Sequence, residues 1–71
     1  MKEVVITTEF IRLQELLKFA ALVSTGGEAK LMISGGGVSV NGETCLQRGK
    51  KLRPGDVVCC RGQELTVRYA D

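Results

Sequence analysis

The sequence has no histidine and no tryptophan, only two phenylalanines and one tyrosine, a single proline and three cysteines. Each shortage excludes a class of function. Without histidine the chain lacks the usual proton shuttle near neutral pH and the commonest metal ligand, so hydrolytic triads and zinc sites are not expected. No Cys-x-x-Cys spacing occurs among Cys45, Cys59 and Cys60, and pairing three cysteines leaves one over, which fits a reducing cytosol better than a disulfide framework. No stretch approaches the roughly 20 apolar residues of a membrane span, and the first residues lack a basic region followed by an apolar one. The expectation is a soluble cytoplasmic protein with no membrane, metal or cofactor requirement.

What is present fits one small domain over residues 1–71: 44% hydrophobic and 25% charged residues with a formal net charge of +2. A chain of this size buries only about 60% of the surface its unfolded form exposes, leaving no room for a deep enclosed pocket. Glu9, Glu15, Glu28 and Asp56 fall on polar faces, helix starts or turns, and nothing in their spacing faces two carboxylates across a cleft. The protein is therefore read as a binding module, not an enzyme. Charge is unevenly placed. Residues 1–43 hold four basic and five acidic residues, whereas residues 44–71 hold six basic and three acidic ones. Arg48, Lys50, Lys51 and Arg53 fall within six residues with no acid among them, a local positive field that suits either a solvated turn or a phosphate-binding surface.

Periodicity divides the chain into elements. Glu3 to Ile11 alternates as a strand placed at a sheet edge, with Val4, Ile6 and Phe10 on one side. From about Arg12 the period lengthens, and Leu13, Leu16, Leu17, Ala20 and Val23 define a helix of about three turns that ends at Ser24-Thr25-Gly26-Gly27. A second helix of about two turns covers Glu28 to Ser34. The turn between them is too short for a long side-by-side hairpin, so the two should cross steeply. Gly26-Gly27 lies where an anion could meet free helix N–H groups, assisted by Lys30, but on this feature alone a plain turn between the helices is the better reading. Val38 to Val40, turned by Asn41-Gly42, opens a hairpin whose return includes Thr44 and Cys45 or Leu46. Arg53-Pro54-Gly55-Asp56 has the form of a type II turn; Val57 to Cys60 and Leu65 to Tyr69 complete the sheet. Alternation sends Cys59 and Cys60 to opposite faces of their strand, as structural filler. The fold class is α+β: two short crossing helices packed on a small antiparallel sheet.

Lys30 on the second helix and Arg48, Lys50 and Lys51 on a nearby loop could line one groove, and such phosphate contacts dominate nucleic-acid affinity. No aromatic residue interrupts the basic stretch. Shape-based recognition of helical RNA is thus favoured over base stacking.

The run Leu16-Leu17-Lys18, Gly26-Gly27-Glu28-Ala29-Lys30, Ile33, Gly37-Val38-Ser39-Val40-Asn41-Gly42, Arg48-Gly49-Lys50-Lys51-Leu52 and Gly55-Asp56-Val57-Val58 resembles the RNA-binding domain of ribosomal protein S-four type, the alpha-L motif. It covers nearly the whole chain and is similar, more narrowly, to the small stand-alone bacterial members of YaaA/YbcJ type. The resemblance implies that RNA lies against the second helix and the adjoining hairpin loops, with Arg12, Lys18, Lys30, Arg48, Lys50 and Lys51 as contacts and Arg53 and Arg61 ranking behind them. The chain departs from the broader pattern at Gln14, where an Asp would stand, and at Ala29-Lys30, where a Ser-Arg pair would open the helix. Lysine in place of arginine keeps phosphate attraction but loses the bidentate fork. The implied partner is structured RNA, ribosomal RNA ahead of transfer RNA, or a ribosomal subunit precursor, bound by a monomer in ribosome assembly. The competing reading is a protein-interaction adaptor that adds a peptide strand to an exposed sheet edge.

Overall fold

The protein's computed structural model describes residues 2–70. Its first strand, β1 (Lys2–Ile6), alternates as a half-buried strand should, with Val4 and Ile6 inside and Val5 exposed. The alternation does not run on to Ile11. The chain bends after Ile6, and Ile11–Arg12 forms a separate two-residue strand, β2, leading directly into helix α1 (Leu13–Phe19).

Helix α1 buries Leu13, Leu16 and Leu17, the apolar face its spacing indicates, but it is only two turns long. It ends in a Schellman motif: the Leu22 N–H reaches the Leu17 carbonyl at 3.0 Å and the Ala21 N–H reaches that of Lys18 at 3.0 Å. The left-handed residue this closure requires is Ala21, with φ 59°. No glycine marks the stop, so the apolar periodicity carries the expected helix on to Val23, which is buried from the loop instead. Helix α2 (Gly26–Ser34) ends in the same motif, here with glycine at the left-handed position, Gly36 at φ 80°. The contrast gives a direct expectation. Ala21→Gly should raise stability by about 0.5–1 kcal/mol in urea unfolding, because relief of the left-handed strain outweighs the extra chain entropy of glycine.

Gly26-Gly27 belongs to the first turn of α2, so the second helix starts before Glu28. Thr25 caps it, its hydroxyl accepting from the Glu28 N–H at 3.1 Å, while the Glu28 carboxylate accepts from the Ser24 N–H at 3.1 Å. That carboxylate stands where an anion would have to approach. Gly26-Gly27 is thus neither a turn between the helices nor an open anion site, but the capped first turn of α2.

Strands β3 (Val38–Val40) and β4 (Glu43–Thr44) form the expected hairpin, with Asn41 and Gly42 both at positive φ, 51° and 86°. The Asn41 side chain also accepts from the Val57 N–H at 2.9 Å and donates to Asp56 at 3.1 Å, joining this turn to the start of β6 (Val57–Cys60). The return strand stops at Thr44, and Leu46 is exposed. A further two-residue strand, β5 (Lys51–Leu52), precedes the Arg53–Asp56 turn, and β7 (Gln63–Tyr69) closes the chain after a turn at Arg61-Gly62.

Five strands make the main sheet in the order β1-β7-β6-β3-β4; β2 and β5 form a separate antiparallel ribbon. The sheet is antiparallel except at β1, which runs parallel to β7 from Lys2 opposite Leu65 to Ile6 opposite Tyr69. One face supplies Val4, Ile6, Val38, Val40, Val58, Cys60, Leu65 and Val67 to a core completed by α1, α2 and Leu52. The two helices touch each other over this face. The architecture is the α+β one expected, two short helices against a small sheet. Cys60 is buried with its Sγ 3.0 Å from Met32 Sδ. Burial pushes its thiol pKa up, against a smaller opposing pull from Arg61, so it is a neutral, apolar packing group.

Candidate nucleic-acid interface

The β2–β5 ribbon decides where the basic residues go. Its register sets Ile11 opposite Leu52 and Arg12 opposite Lys51. Leu52 is wholly buried and fastens the ribbon to the core, while Arg12 and Lys51 remain exposed. Just beyond the ribbon, the loop carbonyls cap the start of α1: the Leu13 N–H donates to the Lys50 carbonyl at 2.9 Å and the Gln14 N–H to that of Arg48 at 3.1 Å. Two N–H groups that a helix start leaves unpaired are thereby satisfied, and the basic loop is pinned to α1 by its backbone with its side chains exposed.

Arg12 and Lys51 are thus paired on the ribbon, with Arg48 and Lys50 held beside the start of α1. Arg53 follows directly after β5, its N–H held by Asp56 at 2.8 Å. Lys18 lies one turn beyond Gln14, about 6 Å further along α1 by helix geometry. All six of these side chains are exposed. Carboxylates stand among them: Glu15 accepts from the Arg12 N–H at 3.3 Å, Asp56 accepts from Asn41 and Arg53, and Glu43 lines the same furrow as Lys50. The five basic residues Arg12, Arg48, Lys50, Lys51 and Arg53 outnumber these three carboxylates.

Lys30 is exposed on α2, outside the bonds that gather the others. Arg61 has a structural role: its guanidinium donates to the Leu22 carbonyl at 2.9 Å, tying the β6–β7 turn to the segment between the helices. Arg68 pairs with Glu3 at 3.1 Å across the β1–β7 edge. Beside the cluster runs an open furrow lined by Asn41, Glu43, Thr44, Leu46, Gln47 and Lys50, which suits a surface-bound polymer better than an enclosed small molecule.

One participant has no signature in the basic stretch. Phe10 precedes the ribbon, and its ring lies 5.6 Å from the Arg12 guanidinium carbon and 4.9 Å from Lys51 Nζ. It enters the cluster through a pairing between segments far apart in sequence. Only its two-residue spacing from Arg12, which puts both on one side of an extended segment, hints at it.

The family pattern described as the S4 domain matches residues 4–68. The probable ribosome maturation protein RlbA of Bacillus subtilis is 46% identical over 57 residues, covering 80% of each chain. The crystal structure of the 30S ribosomal protein S4e from Thermoplasma acidophilum superposes with a TM-score of 0.68 at 22% identity, over 92% of this chain and 34% of that one. The last likeness is one of fold.

Proposed function

This chain belongs to the S4 domain family, and from that premise we propose that it is a non-catalytic RNA-binding protein acting on ribosomal RNA, or on a ribosomal subunit precursor, during ribosome maturation. The observation that carries the reading is the backbone pinning of the Arg48–Lys51 loop to α1, which presents Arg12, Arg48, Lys50, Lys51 and Arg53 as one exposed surface. Lys18 and Lys30 flank it. The RlbA name supports ribosome maturation as the setting and ribosomal over transfer RNA as the target. The ribosomal setting of this reading places the protein in the cytoplasm, and the reading takes it to act as a monomer. Among the described residues no helix is long and apolar enough to cross a membrane.

Cations spaced over one surface recognise phosphate positions, which differ between the A-form helix of RNA and duplex DNA. The test is binding of a structured ribosomal RNA fragment and of a duplex DNA of equal length, each at several salt concentrations. RNA should be preferred. Five phosphate contacts correspond to a log–log salt slope of about −4. Equal weak binding to both, or a flat salt dependence, would contradict the proposal. Saturable, salt-insensitive binding to a protein would instead favour strand addition at the free edge of β1.

A further inference from the structure

We propose that Phe10 is a positioning residue that holds Arg12 and Lys51 as a two-cation clamp for a single backbone phosphate, an inference that deepens the RNA-binding reading and rests on it. Arg12 and Lys51 are directly opposite each other on the β2–β5 ribbon. Like charges in that arrangement repel, and the nearby Glu15 carboxylate is bonded to the Arg12 backbone N–H; among the described residues neither cationic end forms an ion pair. The compensation comes from the Phe10 ring, whose electron-rich face attracts both cationic ends, at 5.6 and 4.9 Å. Holding two long side chains against one ring also restricts their rotamers before a ligand arrives, so less ordering remains to be done on binding.

The chemistry of the ligand follows. A phosphodiester offers anionic oxygens to both a guanidinium and an ammonium, and its charge cancels the repulsion that the ring only offsets. A neutral group leaves that repulsion in place. Because the ring already carries the two cations, Phe10 acts through them and does not serve as a stacking platform for a base. The ribbon is rigid enough for the task, being anchored by buried Leu52 on one side and by the Leu13 to Lys50 hydrogen bond on the other.

The test compares Phe10→Leu, Phe10→Tyr and Phe10→Trp for affinity toward the ribosomal RNA fragment at low salt, with thermal melting measured alongside. Leucine keeps an apolar side chain but removes the ring face, and binding should weaken about fivefold. Tyrosine should bind within about twofold of the parent, and tryptophan at least as well as the parent. In an Arg12→Gln/Lys51→Gln background, Phe10→Leu should produce no further loss of affinity. Equal losses in both backgrounds would overturn the clamp, because the ring would then serve only the fold. Should the leucine variant fail to fold, the tyrosine and tryptophan variants in the two backgrounds still decide: a tryptophan effect that ignores the cations overturns it. Full affinity of Phe10→Leu beside a Lys50→Glu/Lys51→Glu variant that no longer binds would remove the clamp and leave the RNA-binding reading standing. Unchanged binding by that double variant would remove both.

Discussion

Reversing two charges, Lys50→Glu with Lys51→Glu, is expected to lower affinity for a structured ribosomal RNA about 30- to 100-fold at 0.1 M salt, with the fold intact. Each phosphate contact contributes about 0.7 to 0.9 of a released counterion, which at that salt is worth nearly a decade in binding constant. Two lost contacts give most of the effect, and the new carboxylates add repulsion. The log–log salt slope should become shallower by about 1.5 to 2. Stability should hardly change. Both side chains are exposed, and the parts of this loop that the fold uses are backbone carbonyls and buried Leu52, none of which the substitutions remove. A glutamate at position 51 would even face Arg12 across the ribbon as an opposite charge. Filter binding or fluorescence anisotropy over a salt series, with a thermal melt as control, separates the two effects. A loss of affinity with no change in slope would mean that the residues act by some route other than phosphate contact.

The second large effect concerns the anchor beneath that loop. Leu52→Ala removes a fully buried side chain from a small core, and large-to-small changes of this kind cost about 2–5 kcal/mol. A domain of this size has little to spare, since total stabilities start at about 5 kcal/mol. The melting temperature should fall by roughly 10–25 °C, and much of the protein could be unfolded at 37 °C. RNA affinity should fall as well, even where the variant remains folded, because Leu52 fixes the strand that places Lys51 opposite Arg12. Differential scanning calorimetry gives the first number and anisotropy below the melting range gives the second. A variant that melts low yet binds RNA normally would show that the ribbon is not what aligns the cations.

The fold was only partly legible in the sequence. Elements with a local chemical signature were legible. Asn41-Gly42 is a turn because both positions take positive φ, and Leu13, Leu16 and Leu17 face the core because their spacing follows the helix period. Buried Leu65 and Val67 follow the two-residue period of a strand. Elements defined by a distant partner were not. The parallel pairing of β1 with β7 joins the two ends of the chain and leaves no pattern in either. The β2–β5 ribbon has two residues on each side, too few to show a period, although it governs the geometry of the site. The end of α1 was displaced because alanine occupies the left-handed position that glycine usually marks.

The candidate site divides the same way. Arg48, Lys50, Lys51 and Arg53 stand out as a run, Lys30 joins them from its place on the second helix, and the family resemblance adds Arg12 and Lys18. Sequence neighbourhood says nothing of which cations share a surface, and the hydrogen bonds from Leu13 and Gln14 to the loop bring Arg12 into register with the run. They also explain why Phe10, remote from the basic stretch, stands among its charges. Arg61 illustrates the reverse case. Its charge is conspicuous in the sequence, but its guanidinium is committed to the Leu22 carbonyl.

The most direct test of the central claim, that one surface built on the β2–β5 ribbon and the start of α1 receives RNA, is to follow backbone amide resonances while titrating a structured ribosomal RNA fragment into the isotopically labelled protein. The expected result is that Arg12, Gln14, Arg48, Lys50, Lys51 and Arg53 shift together and in proportion to binding, with Lys18 and Lys30 at the margin, while Glu3, Arg61 and Arg68 at the β1–β7 edge and the β6–β7 turn stay in place. Shifts centred on that edge and turn, with the ribbon unmoved, would contradict the account.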